Sequence, residues 1–262
     1  MDDDATDEPL SPPKLVFIVP YRDREHHKHF FTQYMKNHIL SQVDDWAIFF
    51  AHQDDARPFN RGGMKNIGFM EVKKLYPESY RDMTFVFNDV DTVPCRSGSV
   101  SYETTHGTVK HFYGFTYALG GFFSITGGDF EKTNGFPNYW GWGFEDNAMN
   151  ERVLAAGLTI ARDTFFPIGD MNVIHLGHGT ERTISQNEVN RYHMRHGWTH
   201  DGLNGIRGVV SSHDGDTINI SNFQTNVSHN QVYEAHRLDV KGANKLPARL
   251  GRPRGRVKMF MG

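Results

Sequence analysis

Met83-Thr84-Phe85-Val86-Phe87-Asn88-Asp89-Val90-Asp91 is the stretch that decides the reading of the fold. An apolar run of strand-forming residues passes without a break into two aspartates one residue apart. Strand alternation puts Asp89 and Asp91 on one side of the chain and Val90 on the other. Two carboxylates at a strand terminus can hold a hard divalent cation. Such a cation can neutralise a departing diphosphate. Taken alone, such a pair is more commonly just acids in a turn, so its surroundings must decide.

Upstream, residues 14–19 form a short apolar run ended by Pro20, which predicts a buried strand feeding a loop. Residues 25–40 carry Phe30, Phe31, Tyr34, Met35, Ile39 and Leu40 at helical spacing. Residues 46–51 read as a second strand, residues 61–75 as a second helix and residues 83–87 as a third strand. Strand–helix–strand–helix–strand is the pattern of an α/β half with parallel strands. Ligands bind such sheets beyond the carboxyl ends of the strands. Residues 20–24 and 89–91 both fall there.

Downstream the pattern changes. Residues 100–140 alternate short aromatic segments with glycines and suit mixed strands and loops. Residues 145–156 read as a helix whose acidic first turn matches the positive end of the helix dipole. From Arg162 to about Asp201 no periodicity is visible, and a long loop, functional or disordered, is expected.

Composition limits the function classes. The chain has 262 residues, with 38% hydrophobic, 23% charged and 13% aromatic residues, which suits one soluble α/β unit. A net charge of −3 argues against a nucleic-acid partner. The ends are polarised: residues 2–8 hold five acids, and residues 241–258 hold seven Lys or Arg and no acid. Both read as solvated tails. Cys95 is the single cysteine, so no internal disulfide can form, which favours a reducing compartment. No apolar run reaches 18 residues, and the acidic start lacks the features of a signal peptide.

Several further segments carry chemistry. Residues 138–147 read Asn-Tyr-Trp-Gly-Trp-Gly-Phe-Glu-Asp-Asn. Trp142 lies between Gly141 and Gly143, so the backbone there can swing a large ring over a ligand. Glu145 and Asp146 follow at a helix start, and either could accept a proton from a hydroxyl. His175-Leu176-Gly177-His178 brings two imidazoles close enough in sequence to share one metal. Asp plus His ligands favour Mn²⁺ over Mg²⁺. Residues 20–24 (Pro-Tyr-Arg-Asp-Arg) and Phe59-Asn60-Arg61 place arginines beside aromatics, a combination that suits phosphates and a stacked base.

The order of these blocks resembles the β-1,4-galactosyltransferase family (glycosyltransferase family 7, GT-A type). That family opens with Pro-aromatic-Arg-x-Arg, followed by Phe-Asn-Arg and Asp-Val-Asp. Asn-Gly-Phe then precedes Trp-Gly-Trp-Gly and an acidic run. Asn134-Gly135-Phe136 and residues 140–146 match the last of these, and Asp201-Gly202-Leu203-Asn204 resembles its late Asp-Gly-Leu-Asn. The likeness covers residues 14–210. It implies an α/β nucleotide-sugar-binding fold of GT-A type, with a central, mostly parallel mixed sheet flanked by helices. It also implies a UDP-sugar donor, Mn²⁺, inversion at the anomeric carbon and a glycan or sugar acceptor.

Residue by residue, the resemblance implies that Pro20, Arg22, Arg24, Phe59 and Arg61 hold the nucleotide and phosphates. Asp89, Val90 and Gly121 join them on the donor. Asp91 and His175 would be metal ligands, with His178 as the third and Asn172 or Met171 as alternatives. Asp146 matches the catalytic base, with Glu145 and Trp142 beside it. Phe115, Trp142 and Asn147 would face the acceptor. Two positions depart from the family pattern. Asn147 stands where the acidic run usually continues with Asp. Ala118 stands where galactose-using members typically carry tyrosine, and a smaller residue there tends to accompany N-acetylated donors.

The expected organisation is an acidic tail over 1–13, a catalytic domain over 14–210, a C-terminal extension over 211–240 packed on that domain, and a basic tail over 241–262. The expected activity is transfer of galactose from UDP-galactose to a sugar hydroxyl. UDP-GalNAc or another UDP-sugar is the alternative donor, and a glycan-binding relative without turnover is the rival from another class. With no export signal or membrane span in view, a soluble cytoplasmic protein of microbial or viral kind is expected, or a Golgi-lumenal one if the sequence is part of a longer protein.

Overall fold

The structure is a computed structural model that describes residues 11–177, 179–195, 200–239 and 246. Its frame is a nine-stranded sheet. Strands β1 (Leu15–Tyr21), β2 (Trp46–Gln53) and β3 (Thr84–Asn88) run parallel, with β1 in the centre. Every residue of β1 and β3 is buried. This explains why they read as unbroken apolar runs rather than alternating ones. Alternation persists in where the side chains go. Phe17 and Val19 enter a core on one face, packed by Phe31, Met35 and Ile39. Val16, Ile18, Phe85 and Phe87 enter a second core on the other face, with Phe69, Phe130 and Met149.

The helices supply the outer layers. Helix α1 (Glu25–Tyr34) continues into a π-helical turn at Met35–Ile39, and the two together fill the expected span of 25–40. Helix α2 (Arg61–Leu75) packs against β1 and β2. It starts at Asn60, whose side chain accepts a hydrogen bond from the Gly63 amide at 2.7 Å. Strand β4 (Thr92–Pro94) follows the Asp89–Asp91 turn. Strand β6 (Phe122–Thr126) pairs antiparallel with β3, and β5 (Thr108–Gly114) pairs antiparallel with β6, with helix α3 (Gly127–Lys132) after them. Helix α4 (Glu145–Ala155) follows the Trp142 loop, and β7 (Thr159–Ala161) pairs parallel with β5.

Three expectations need correction. Pro20 does not end β1, which runs on to Tyr21 in register with β2. The pairing of β1 with β3 stops at Ile18, so that edge is open where the proline falls, and an open edge tolerates a missing N–H. Second, the stretch after Arg162 is not one irregular loop. It holds β8 (Phe166–Pro167), β9 (Val173–His175), β10 (Glu181–Ile184) and helix α5 (Gln186–Met194). These strands have two to four residues, too few to show a period. In α5 only Glu188 and Val189 are buried, so there is no apolar stripe to read.

Third, the boundary drawn at 210 falls inside a strand. Strand β11 (Arg207–Asp214) and β12 (Thr217–Gln224) form a hairpin, and β12 lies parallel to β2. The hairpin is therefore part of the main sheet, where Ile218, Ile220 and Phe223 build a third core with Ala51, Met64, Ile67 and Trp140. Strand β13 (Glu234–Arg237) pairs with β10 outside the main sheet. The acidic residues 1–10 and nearly all of the basic tail lie outside the described residues. Among the described residues, no helix is long and apolar enough to cross a membrane.

Candidate active site

The carboxyl ends of β1, β2 and β3 open into one cleft of about 1010 Å³. Every site residue proposed from the sequence lines it except His178, Asn172 and Met171. His178 lies outside the described residues. Met171 is 92% exposed and lines a smaller hollow of about 470 Å³ that shares Tyr113, His175 and Arg182 with the cleft. Asn172 turns its amide to the Asp170 carboxylate at 2.9 Å. Neither alternative ligand faces the cleft.

One wall is made by the strand ends. Pro20 near the end of β1 and Arg22 and Arg24 just beyond it line this wall, and Arg22 donates to the Arg57 carbonyl. Arg57 is itself held by Asp55 at 2.8 Å and by the Phe223 carbonyl at 2.6 Å, with its guanidinium over the Phe223 ring. Arg61, in the first turn of α2, donates to Asp89 Oδ2 at 2.7 Å and lies 3.4 Å from Glu145. Burial works against its charge, but Asp89, Glu145, Asp146 and Asp91 together outweigh burial and hold Arg61 protonated even more firmly than an ordinary arginine. Val90, between the aspartates, packs its side chain into the core beneath the cleft.

Asp91 and His175 meet because β4 and β9 pair, with Thr92 opposite His175. The Asp91 carbonyl accepts from the Leu176 amide at 2.8 Å, and Asp91 Oδ2 lies 3.8 Å from His175 Nε2. Tyr113 Oη sits 3.2 Å from the other ring nitrogen and orients the imidazole. A carboxylate beside an imidazole suits Mn²⁺ by the chemistry of the donors. Among the described residues no third His, Cys, Asp or Glu completes a cluster. The fit to a divalent cation therefore rests on these two residues.

The opposite wall is a cover. Gly141 donates to the Phe59 carbonyl at 3.0 Å and Trp142 to the Thr183 carbonyl at 2.7 Å. The Trp142 ring stacks on His236 of β13, with centroids 6.3 Å apart and planes at 16°. Arg182, Thr183, Tyr233 and Leu238 complete this side. At the mouth, the half-exposed Phe115 ring stacks on Tyr117 at 5.2 Å, and Ala118 is buried beside them.

Asp146 lies in the first turn of α4 on the cleft floor. Its carboxyl is raised to about 6, first by burial and then by Glu145 and Asp89, against the opposing pull of Lys65 and Arg61. Asn147 follows it on the same lining. The segment ahead of the Trp142 loop is pinned from below. The Asn138 amide N–H donates to Asp201 at 3.0 Å and its side chain to the Gly202 carbonyl at 2.8 Å. The Asp-Gly-Leu-Asn block therefore braces the site rather than lining it.

Sequence reasoning missed Lys65, Arg57, Tyr113 and Arg182. Lys65 was within reach, because Arg61 and Lys65 are four apart and share one face of α2. Arg182 sits on a strand that no periodicity announces, and Tyr113 becomes meaningful only once β9 brings His175 beside it.

Comparisons with known proteins agree with this arrangement. Residues 7–102 match the family model described as the N-terminal region of glycosyl transferase group 7. Residues 104–178 match the one described as the N-terminal domain of galactosyltransferase. Xylosylprotein 4-beta-galactosyltransferase of Caenorhabditis elegans is 29% identical over 214 residues, which covers 76% of this chain and 72% of that protein. Beta-1,4-galactosyltransferase 1 of Bos taurus is 28% identical over 211 residues, covering 77% and 51%. The chain thus spans about half the length of the bovine relative. The catalytic domain of Drosophila β1,4-galactosyltransferase 7, solved with xylobiose, superposes with a TM-score of 0.62 at 21% identity, over 83% of this chain and 96% of that one. A mutant of the Drosophila enzyme, solved with manganese, UDP-Gal and xylobiose, gives 0.61 at 20% identity over the same shares. That likeness is one of fold and supports the GT-A type architecture. With two consecutive models of one transferase group matched across the motif blocks that build the cleft, the chain belongs to the β-1,4-galactosyltransferase family, glycosyltransferase family 7.

Proposed function

We propose that this chain is an inverting, Mn²⁺-dependent glycosyltransferase that moves galactose from UDP-galactose to a hydroxyl of a sugar or glycan acceptor. The observation that carries the reading is the convergence of Asp146, Trp142 and the Asp91–His175 pair on a single cleft beyond parallel strand ends. Relatives named as β-1,4-galactosyltransferases support the sugar, and a related structure solved with manganese and UDP-Gal supports the donor and metal.

On this reading Asp91 and His175 hold the cation, with His178 as the third candidate. Bound there, it supplies positive charge to the diphosphate. Arg22, Arg24 and Arg61 hold phosphate oxygens, and Phe59 with Pro20 borders the base. Asp89 faces the donor sugar. Trp142 closes over donor and acceptor and excludes water. Asp146 takes the proton of the acceptor hydroxyl as that oxygen bonds to the anomeric carbon from the face opposite UDP. The bond from that carbon to the diphosphate oxygen breaks in the same step, and the anomeric configuration inverts. Phe115 and Asn147 contact the acceptor.

A second reading keeps the mechanism and changes the donor. Ala118 is small and buried at the cleft, where a tyrosine would narrow it, so an N-acetylated sugar such as UDP-GalNAc is the alternative. The acceptor class to test first is a xyloside. The worm relative is named for xylosylprotein, and the Drosophila complexes carry xylobiose.

The test is UDP release from a panel of UDP-sugars, with and without Mn²⁺ and with and without xylosides or other acceptor sugars. Acceptor-dependent release with UDP-galactose and Mn²⁺ is expected. Equal release without acceptor would mean a hydrolase. No release with any donor would mean a glycan-binding relative.

A further inference from the structure

Among the described residues, Lys65 is the one lysine whose side chain is buried among the carboxylates of the cleft floor. Only 2% of it is exposed, it projects from α2, and its ammonium lies 4.6 Å from the centre of the Phe136 ring. A buried helix face against phenylalanine would ordinarily carry an apolar residue. An ammonium there loses its water and persists only when paired. Its partners are Asp146 Oδ1 at 3.2 Å and Asp89 Oδ1 at 3.5 Å. Asp89 Oδ1 is buried and makes no hydrogen bond, since Arg61 takes the other oxygen.

The frame around Lys65 is fixed. Asn60 and Asn66 on the same helix region tie α2 to the carbonyls of Asn138 and Phe136. Asp146 is held from its own backbone as well, its carbonyl accepting from the Leu119 amide at 2.9 Å. Its Oδ2 lies against Gly120, where an added Cβ would come within 2.8 Å. One carboxylate oxygen is thus tied to an immobile ammonium, and the other lies along a cleft-lining glycine.

Resting on the reading proposed above, we infer that Lys65 is a positioning residue: its buried ammonium clamps the base carboxylate of Asp146 to the strand-end wall in its ionised form. The groups facing Asp146 are Lys65 and Arg61 from α2, Asp89 from the end of β3, and Glu145 from its own helix. Two of these are cations and two are acids. Without Lys65 the acids and burial outnumber the single remaining guanidinium, and the carboxylate keeps its proton to higher pH.

The test compares wild type, Lys65→Met and Lys65→Arg. In kcat/KM against pH, the acid limb of Lys65→Met should move up by about one unit or more, so that activity near pH 6 falls about tenfold and recovers above pH 8. Lys65→Arg should keep the limb near its wild-type place. A merely structural role would lower activity at every pH and leave the limb where it was, and an unmoved limb overturns the inference. The second measurement needs no turnover: a ¹³C titration of the aspartate carboxyls, with the Asp146 signal identified by its loss in Asp146→Asn. Its midpoint should rise in Lys65→Met, and coincident midpoints overturn the clamp. If wild type shows no acceptor-dependent UDP release, the transferase reading fails, and the titration still decides for or against the clamp. Lys65→Gln replaces the methionine variant should the latter not fold.

Discussion

The two walls of the cleft are built by opposite means. The strand-end wall grows from β1 and β3, buried along their whole length, and from the first turn of α2. The covering wall hangs on β10 and β13, four residues each and mostly exposed, which among the described residues pair only with one another. On the proposed reading, the first wall carries the charges that meet a nucleotide diphosphate, and the second carries Trp142 and the aromatic and aliphatic groups that shut water out. Charges need fixed positions to act, and only a packed sheet fixes them. A cover must open, and an element held by few buried contacts can do so at low cost.

The largest expected effect lies where the walls meet. Asp146 follows the covering loop in sequence but is tied to Lys65 of the strand-end wall. Asp146→Asn keeps the shape and removes the base. Transfer should fall by about a hundredfold or more, while binding of UDP and UDP-galactose, read by calorimetry, stays near wild type. Normal transfer by this variant would remove Asp146 from the mechanism.

The next effect probes the strand-end wall at the Asp91–His175 pair proposed to hold the metal. Tyr113 Oη orients His175 through its Nδ1. Tyr113→Phe removes that oxygen and little volume. Partners behind a ligand typically govern affinity by ten- to hundredfold, so the Mn²⁺ needed for half-maximal activity should rise by roughly that factor. An unchanged Mn²⁺ requirement would show that His175 is held without it.

A pair of glycines sets the walls against each other directly. Gly62 opens α2, and a Cβ there would stand 2.0 Å from the Pro137 carbonyl oxygen, so backbone must move. Gly62→Ala should cost about 3 kcal/mol, lowering Tm by roughly 6–12 °C for a domain of this size. Gly141 holds φ at +87°, and a Cβ would come within 2.8 Å of the Thr183 carbonyl oxygen. Gly141→Ala should unseat the Trp142 loop, leave Tm within a few degrees and lower kcat/KM on the order of tenfold. Equal losses of Tm in both variants would show the cover to be as integral to the fold as the sheet.

The same contrast explains what the sequence disclosed. Residues 15–91 were legible because buried parallel strands are continuous apolar runs, and Arg61–Leu75 shows its helical spacing plainly. Asp89, Asp91, Arg22 and Arg24 could be placed in the cleft because they fall where the strands end. The covering wall was not legible. Its strands are too short for a period, and α5 buries two residues of nine. Residues 211–240 read only as an extension packed on the domain, because the mostly exposed β11 shows no strand pattern, though β12 turns Ile218, Ile220 and Phe223 into the core. Lys65 went unread for another reason: a lysine on a helix normally marks the solvent face, and only the fold reveals that it points inward.

The smallest effect is a limb that should not move. On the proposed mechanism Asp146 must be ionised to accept a proton, and its carboxyl is raised to about 6, chiefly by burial. Activity should therefore rise with pH through that value and fall about tenfold per unit below it. If the strand-end wall alone governs the carboxylate, disturbing the cover changes the height of the profile but not its midpoint. Gly141→Ala should then show the same acid limb as wild type at lower kcat/KM, where Lys65→Met displaces it. A displaced limb in Gly141→Ala would mean that the Trp142 loop desolvates Asp146 as well as covering the substrate. The division of labour between fixed charges and a moving cover would then give way to one in which closure also tunes the base.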